Sequence, residues 1–271
     1  MTTAFVETTV LTDFLLKRDG SERRAAATFA EFESHAVPQF AWKEFKRGPL
    51  KNFVWAHNKL ADTRSFLETI AALQRVSRSL QRYLTSTAIQ AFHTAFAALF
   101  TNLPALQKVY GRTADPDRLH ADALRLELRR KINSSWRARK TLFGGPYHIL
   151  TCYPDAELKE DGRRINLNPR DCPKGLECCL KASLEGRGKD LAAVRSALKA
   201  ISDRQEVVKR AKVIRQIEKH FTSIMSNDDC RSFGDAYFVL FCPEDAVVIS
   251  TNLRDIEPMA AALGIEAMSP K

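Results

Sequence analysis

Apolar residues along this 271-residue chain follow two spacings and divide it into three stretches. In the first, AFVETTVL is apolar and β-branched between polar flanks, which predicts a buried strand. Residues 21–34 read as a helix, with Ser21 as N-cap and Phe29 and Phe32 on its apolar side. AVPQF is short and extended, its direction set by Pro38, and a further helix is expected over 42–57, bent at Gly48 and Pro49. In the middle stretch, residues 64–83, 85–102 and 117–142 carry apolar positions every three or four residues and read as helices. Residues 146–186 are irregular, with 150–153 a candidate extended piece, and 189–222 predict one long basic helix or two. The last stretch changes character. A helix over 236–242 leads to a wholly apolar strand over 245–251, of the kind buried in a parallel sheet. A short helix over 255–263, closed by Gly264, and a strand over 265–268 complete it.

Strand–helix–strand patterns at both ends predict an α/β domain whose halves, 1–63 and 223–271, flank a mostly helical insertion, 64–222. With 45% hydrophobic and 27% charged residues the composition is that of a globular chain. No apolar run approaches the roughly 20 residues of a membrane-spanning helix, and the first residues lack a positive n-region and cleavage site. The expectation is a soluble, cytoplasmic protein with no membrane partner.

Charge sharpens the picture. The formal net charge is +10, with 42 Lys and Arg against 32 Asp and Glu. Residues 64–144 carry 14 basic and 5 acidic side chains, and residues 187–222 carry 10 and 4. A basic middle therefore lies inside an acidic frame, a footprint expected for phosphate backbones, though an anionic membrane surface or an acidic protein would also fit. The six cysteines, Cys152, Cys172, Cys178, Cys179, Cys230 and Cys242, include no C-x-x-C pair. Cys172, Cys178 and Cys179 with His220 match no usual zinc spacing, so plain thiols are the simpler reading. The six histidines show no paired spacing, and no Walker A, G-x-G-x-x-G or G-x-S-x-G motif is present.

Four acids stand near expected strand ends or helix starts: Glu7, Glu44, Asp235 and Asp255. In an open α/β sheet such positions converge at the carboxyl ends of the strands. Acids brought together there repel one another unless protonated or neutralised by cations. Oxygen ligands without His or Cys suit Mg²⁺ or Mn²⁺, which activate water for phosphodiester hydrolysis. Each acid also has a structural alternative: an arginine partner or a hydrogen-bond donor for Glu7, a surface pair with Lys43, Lys46 or Arg47 for Glu44, and helix capping for Asp235 and Asp255.

These segments resemble the PIN-domain family of nucleases. The family's acid–Thr–Asn–Val–Leu pattern stands here as Glu7-Thr8-Thr9-Val10-Leu11, and its helical glutamate before Arg-Gly as Glu44…Arg47-Gly48. Asp235-Ala236 opens an apolar run, and Thr251-Asn252…Asp255…Leu263-Gly264-Ile265 follows the late strand, as in the family. The resemblance covers residues 3–60 and 226–268. It implies a three-layer fold around a central parallel sheet and an Mg²⁺- or Mn²⁺-dependent endoribonuclease, with RNA before DNA as substrate. It further implies the four acids as metal ligands, Thr9, Thr251 and Asn252 as supporting residues, and the context of regulated toxins or defence effectors. Asp229, just before the late helix, is an added supporting candidate. Two positions depart from the family: Glu7 replaces Asp, and Leu253 stands where an Asp usually follows Thr-Asn.

Three basic runs are candidates for gripping the strand. Arg75, Arg78 and Arg82 share a helical face; Arg129, Arg130, Lys131, Arg137, Arg139 and Lys140 crowd one helix around Trp136; Lys209, Arg210, Lys212 and Arg215 add a third. The alternatives are a PIN-like binding module that has lost catalysis, and a docking platform for an inhibitor protein or a second copy of the chain.

Overall fold

The computed structural model describes residues 3–16, 20–78, 92–93, 107–108, 111, 115–141, 146–147, 156–168, 178–201, 204–221 and 225–271. Its centre is a parallel sheet of β1 (Thr3–Val6), β2 (Ser34–Pro38), β6 (Ala246–Ile249) and β7 (Ala267–Met268), extended at the β2 edge by the two-residue β3 (Pro146–Tyr147). The order is β3-β2-β1-β6-β7. From β1 the chain adds strands outward on one side and later on the other, so strand order reverses between β1 and β6. That boundary is the topological switch point, and every strand's carboxyl end faces the same edge. β1 and β6 are buried almost throughout, which is why both read as continuous apolar runs.

The first strand is shorter than AFVETTVL suggests. It stops at Val6, and Thr8–Leu16 forms helix α1, whose first turn is closed by Leu11 N–H donating to the Glu7 carbonyl. β-branched residues favour strands only weakly against burial: Val10, Leu11, Leu15 and Leu16 sit at helical spacing and are all buried. Helix α2 (Ser21–Phe29) precedes β2 and starts after Gly20, with no side-chain cap from Ser21. Helix α3 (Gln39–Phe45) passes through a π-helical turn, Lys46–Leu50, into α4 (Lys51–Thr63). Pro49 lies in that turn, where its missing N–H and bulky ring widen the helix instead of ending it. The bend expected at Gly48 and Pro49 is this turn.

Helix α5 (Phe66–Arg78) covers the start of the run expected over 64–83, and α6 (Pro116–Thr141) matches 117–142. The helix expected over 85–102 and the extended piece at 150–153 lie outside the described residues, apart from helical Phe92 and His93. Within the stretch read as irregular, β4 (Glu157–Asp161) and β5 (Arg164–Asn168) form a hairpin, with Gly162 at φ 56° in its two-residue loop. Gly162 at the first position of the Gly162-Arg163 loop, between short polar strands, was the signal for it. After the short α7 (Cys179–Ala182), the basic stretch is two helices, α8 (Gly188–Ile201) and α9 (Gln205–Lys219). Helix α10 (Asn227–Leu240) begins well before 236, capped by Ser226 Oγ, which accepts from Asp229 N–H at 3.0 Å. Helix α11 (Leu253–Ala261) follows β6.

One hydrophobic core joins the sheet to helices from all three stretches. Phe5, Val6, Val248 and Ile249 share it with Leu124, Leu128 and Ile132 of α6 and with Leu191, Val194, Val213 and Ile214 of α8 and α9. Helix α6 packs along α4 and α1. It also closes the end of α1: Lys131 Nζ donates to the Leu16 carbonyl at 3.1 Å and Ser135 Oγ to the Leu15 carbonyl at 3.1 Å. Those carbonyls have no intrahelical partner, so α6 supplies the polar cap as well as apolar contact. Helices α8 and α9 pack together and against α11 and α10, which brings α9 beside the late acidic segments. Among the described residues, no helix is long and apolar enough to cross a membrane.

Candidate active site

The carboxyl edge of the sheet gathers acids from segments far apart in sequence. Glu7 is the first residue after β1, tied to β6 by its N–H to the Ile249 carbonyl at 3.0 Å. Glu44 comes from α3, directly after β2. Asp235 lies in the interior of α10, so it does not open or cap that helix. Asp255 is in the first turn of α11, after β6.

Hydroxyl groups serve the first two. Thr9 Oγ1 donates to Glu7 Oε1 at 3.2 Å, and Thr8 Oγ1 donates to Glu44 Oε2 at 2.5 Å. Glu7 is only 6% exposed, and its second oxygen, Oε2, is buried with no hydrogen-bond donor. Burial first, then the negative charge of Asp235 and of Glu44, pushes the Glu7 carboxyl up to about 8. Burial also lifts Glu44 to about 7, against the pull of the Thr8 hydrogen bond and with the charge of Asp235 adding to the rise. Glu44 keeps some surface open, but its carboxylate is packed about by protein. Gly234 lies against it: a Cβ there would stand 3.4 Å from Glu44 Oε1 and 3.6 Å from the Phe40 ring, in ordinary van der Waals contact.

The other two acids are held by nitrogen donors. Arg210 of α9 donates from Nη2 to Asp235 Oδ2 at 2.5 Å, and its Nη1 stands 3.5 Å from Asp255 Oδ2. Its Nε donates to the Ser232 carbonyl at 3.2 Å. Arg204 pairs with Asp255 Oδ1 from a side chain about a third exposed, at the solvent side of the cluster. Asn252 Nδ2 lies between the two aspartates, 3.2 Å from Asp235 Oδ2 and 3.3 Å from Asp255 Oδ2. Burial raises Asp235 despite Arg210, with the charge of Asp255 adding to the rise. For Asp255 burial acts upward too, but hydrogen bonds from Arg204 and Asn252 and the charge of Arg210 hold it below the usual carboxylate range.

Glu7, Glu44 and Asp235 thus feel one another's charge directly, and Asp255 joins through Asp235. Of the supporting residues, Thr9 and Asn252 contact acids of the cluster, Thr251 lies exposed at the bend after β6, and Asp229 takes part in the α10 cap with Ser226. Thr8, Arg204, Arg210 and Gly234 belong to the site and were not expected there. For Arg210 the signal was present: Val207, Arg210, Val213, Ile214 and Ile217 form the buried stripe of α9, so an arginine occupies a core-facing position.

As a donor set for Mg²⁺ or Mn²⁺ the carboxylates are chemically suited, and the unpartnered buried oxygen of Glu7 points to a missing positive partner. In the arrangement described, however, no group of three carboxylate, imidazole or thiol side chains among the described residues is placed to hold one ion. The thiols of Cys178, Cys179, Cys230 and Cys242 form no such group either.

The basic candidates divide. Lys209, Lys212 and Arg215 line the outer face of α9, and Arg75 is exposed on α5. Arg137 is exposed on α6, where Arg129 pairs with Glu160 and Arg130 with Glu127. Arg129, Arg130 and Arg137 line one open groove along α6, of about 630 Å³. Lys131 and Arg210 instead turn inward, each only 7% exposed. Arg82 and the side chains of Arg78, Arg139 and Lys140 lie outside the described residues.

A scan against protein-family profiles, a search of curated proteins and a search of solved structures each returned no match for this chain.

Proposed function

We propose that this chain is a metal-dependent nuclease of the PIN type, acting on RNA. The observation that supports it is the convergence of Glu7, Glu44 and Asp235 at the switch point of a parallel sheet, with one buried oxygen of Glu7 lacking any donor. Carboxylates that feel one another's charge, at a cost in desolvation and repulsion, suit a site that receives positive charge during its work. A bound Mg²⁺ or Mn²⁺ would supply that charge and activate water for phosphodiester hydrolysis.

The chain's own groups divide the remaining tasks. Glu7, Glu44 and Asp235 are the proposed ligands, with Thr8 and Thr9 orienting the two glutamates. Asn252 fixes Asp235 against Asp255. Asp255, engaged by Arg204, belongs on this reading to the arginine-bearing side of the site. The exposed cations of α9, α6 and α5 hold the substrate backbone, and single-stranded RNA suits an edge site that a duplex enters less readily.

A second reading is favoured by the two arginines on Asp235 and Asp255. A PIN-like core whose acids are neutralised internally would bind nucleic acid without cutting it. Cleavage of a labelled single-stranded RNA pool in Mn²⁺, Mg²⁺ or EDTA, beside Asp235→Asn, separates the two. Metal-dependent cleavage lost in the variant is expected; salt-sensitive binding of intact RNA, equal in both proteins, would replace the nuclease reading by the binding one.

A further inference from the structure

We infer that the outer face of α9 is the main track for single-stranded RNA beside the acidic cluster, gripping the strand by its phosphates. The inference rests on the nucleic-acid reading above but needs no metal, and it ranks α9 ahead of the other basic helices.

Lys209, Lys212, Arg215 and Lys219 recur every three or four residues and are all exposed, so they form one stripe, about 15 Å long at the rise of an α-helix. None of the four has an acidic partner among the described residues. The helix carries two acids: Glu218 is turned to Arg195 of α8 at 3.0 Å, which leaves Glu206 alone to oppose the stripe. The cations of α6 are placed differently. Arg129 is engaged by Glu160 and Arg130 by Glu127, so a phosphate must break an ion pair to gain either. A cation of the α9 stripe gives up only water and diffuse counterions.

The rest of α9 decides which anion fits. An amphipathic helix lying on a lipid surface needs an apolar face to insert, and that of α9, formed by Val207, Val213, Ile214 and Ile217, is buried in the core. An acidic protein would be held by apolar or aromatic anchors at the centre of the contact, and among the described residues Val208 is the one large hydrophobic exposed on this helix. A phosphate backbone needs neither, because spaced cations suffice to hold it. The same helix also meets the acidic cluster. Arg210, on its buried face, pairs with Asp235, and Arg204, just before its first turn, pairs with Asp255. RNA on the outer face is thereby held by the helix that braces two of the four acids.

The test is fluorescence anisotropy of a labelled oligouridylate with the whole protein in EDTA, over a range of salt. Wild type is compared with three charge-matched triple variants. One is Lys209→Gln, Lys212→Gln and Arg215→Gln on α9; the second is Arg75→Gln, Arg130→Gln and Arg137→Gln on α5 and α6. The third, Arg23→Gln, Arg24→Gln and Lys51→Gln, removes exposed cations outside the three basic runs. All nine positions are exposed and glutamine is a good helix former, so each variant should fold, which circular dichroism checks. The α9 triple should weaken binding about tenfold or more and make the slope of log affinity against log salt shallower by about 2, at roughly 0.7 for each phosphate contact on a single strand. The α5 and α6 triple should lose about threefold, and the third should stay within about twofold of wild type. An equal or larger loss in either comparison triple overturns the ranking of α9 and leaves the nucleic-acid reading standing. Tighter binding of the matching duplex overturns the single-stranded track. No RNA binding by wild type removes the nucleic-acid reading and the track together, and binding of phosphatidylserine vesicles in that case would put a membrane surface in their place.

Discussion

The two sides of the acidic cluster solve the same electrostatic problem differently. Glu7 and Glu44 receive hydroxyl hydrogen bonds from Thr9 and Thr8, and burial lifts both carboxyls toward or past neutrality, to about 8 and about 7. Asp235 and Asp255 receive Arg210, Arg204 and Asn252, and Asp255 is held below the usual range. A hydroxyl satisfies a lone pair but offsets little of the cost of a buried charge, whereas a guanidinium offsets both. The glutamate side is thus the part of the fold with most to gain from a cation, and the aspartate side the part already supplied with one.

The largest way to break this contrast is to remove the guanidinium. Arg210→Ala should cost about 3–5 kcal/mol in metal-free protein, because it strands the Asp235 carboxylate, largely buried, without its cation. Urea denaturation measures it, and a loss below about 1 kcal/mol would mean the aspartates do not depend on Arg210.

pH tests the other side. Glu7 and Glu44 have folded-state values raised above the ordinary 4.5, so the native protein keeps protons that the unfolded chain releases. Their contribution is fully present below about 4.5 and is lost as pH rises through about 7 for Glu44 and about 8 for Glu7. Metal-free protein should therefore melt at a lower temperature at pH 8 than at pH 5. Each such group accounts for up to about 1.4 kcal/mol per pH unit within its window. Glu7→Gln should flatten the profile, and an unchanged slope in that variant would remove Glu7 as its source.

Smaller effects sharpen the comparison. Thr8→Val deletes the hydroxyl on Glu44 and should cost about 1–2 kcal/mol, with the pH-dependent loss extending to higher pH because the ionised form has lost a donor. Arg129→Ala breaks a partly exposed pair with Glu160 on α6, and should cost no more than about 1 kcal/mol in denaturation while weakening RNA binding in a filter assay. A large stability loss there would mean that pair is structural, unlike the other cations of the α6 groove.

Much of the architecture was legible in the chain itself. Apolar, β-branched runs marked β1 and β6, AVPQF marked β2 as extended, three- and four-residue spacing marked α5 and α6, a basic stretch marked α8 and α9, and Pro49 marked the widened turn between α3 and α4. The four acids were visible as acids at the ends of such elements. Local pattern misjudged where β1 stops, because Thr and Val suit a strand until burial of Val10, Leu11, Leu15 and Leu16 on one side favours a helix. It also left the hairpin of β4 and β5 unrecognised despite Gly162 in its Gly162-Arg163 turn. What only the tertiary structure decided is the pairing of charges. Lys131 and Arg210 carry the same charge as their outward neighbours, yet one closes the carbonyl end of α1 and the other pairs with Asp235. A side chain's partner depends on which helix packs across from it, and here those partners come from segments distant in sequence. Periodicity assigns a cation to the buried stripe of its helix; only the packing of α6 on α1 and of α9 on α10 determines whether it meets a carbonyl or a carboxylate there.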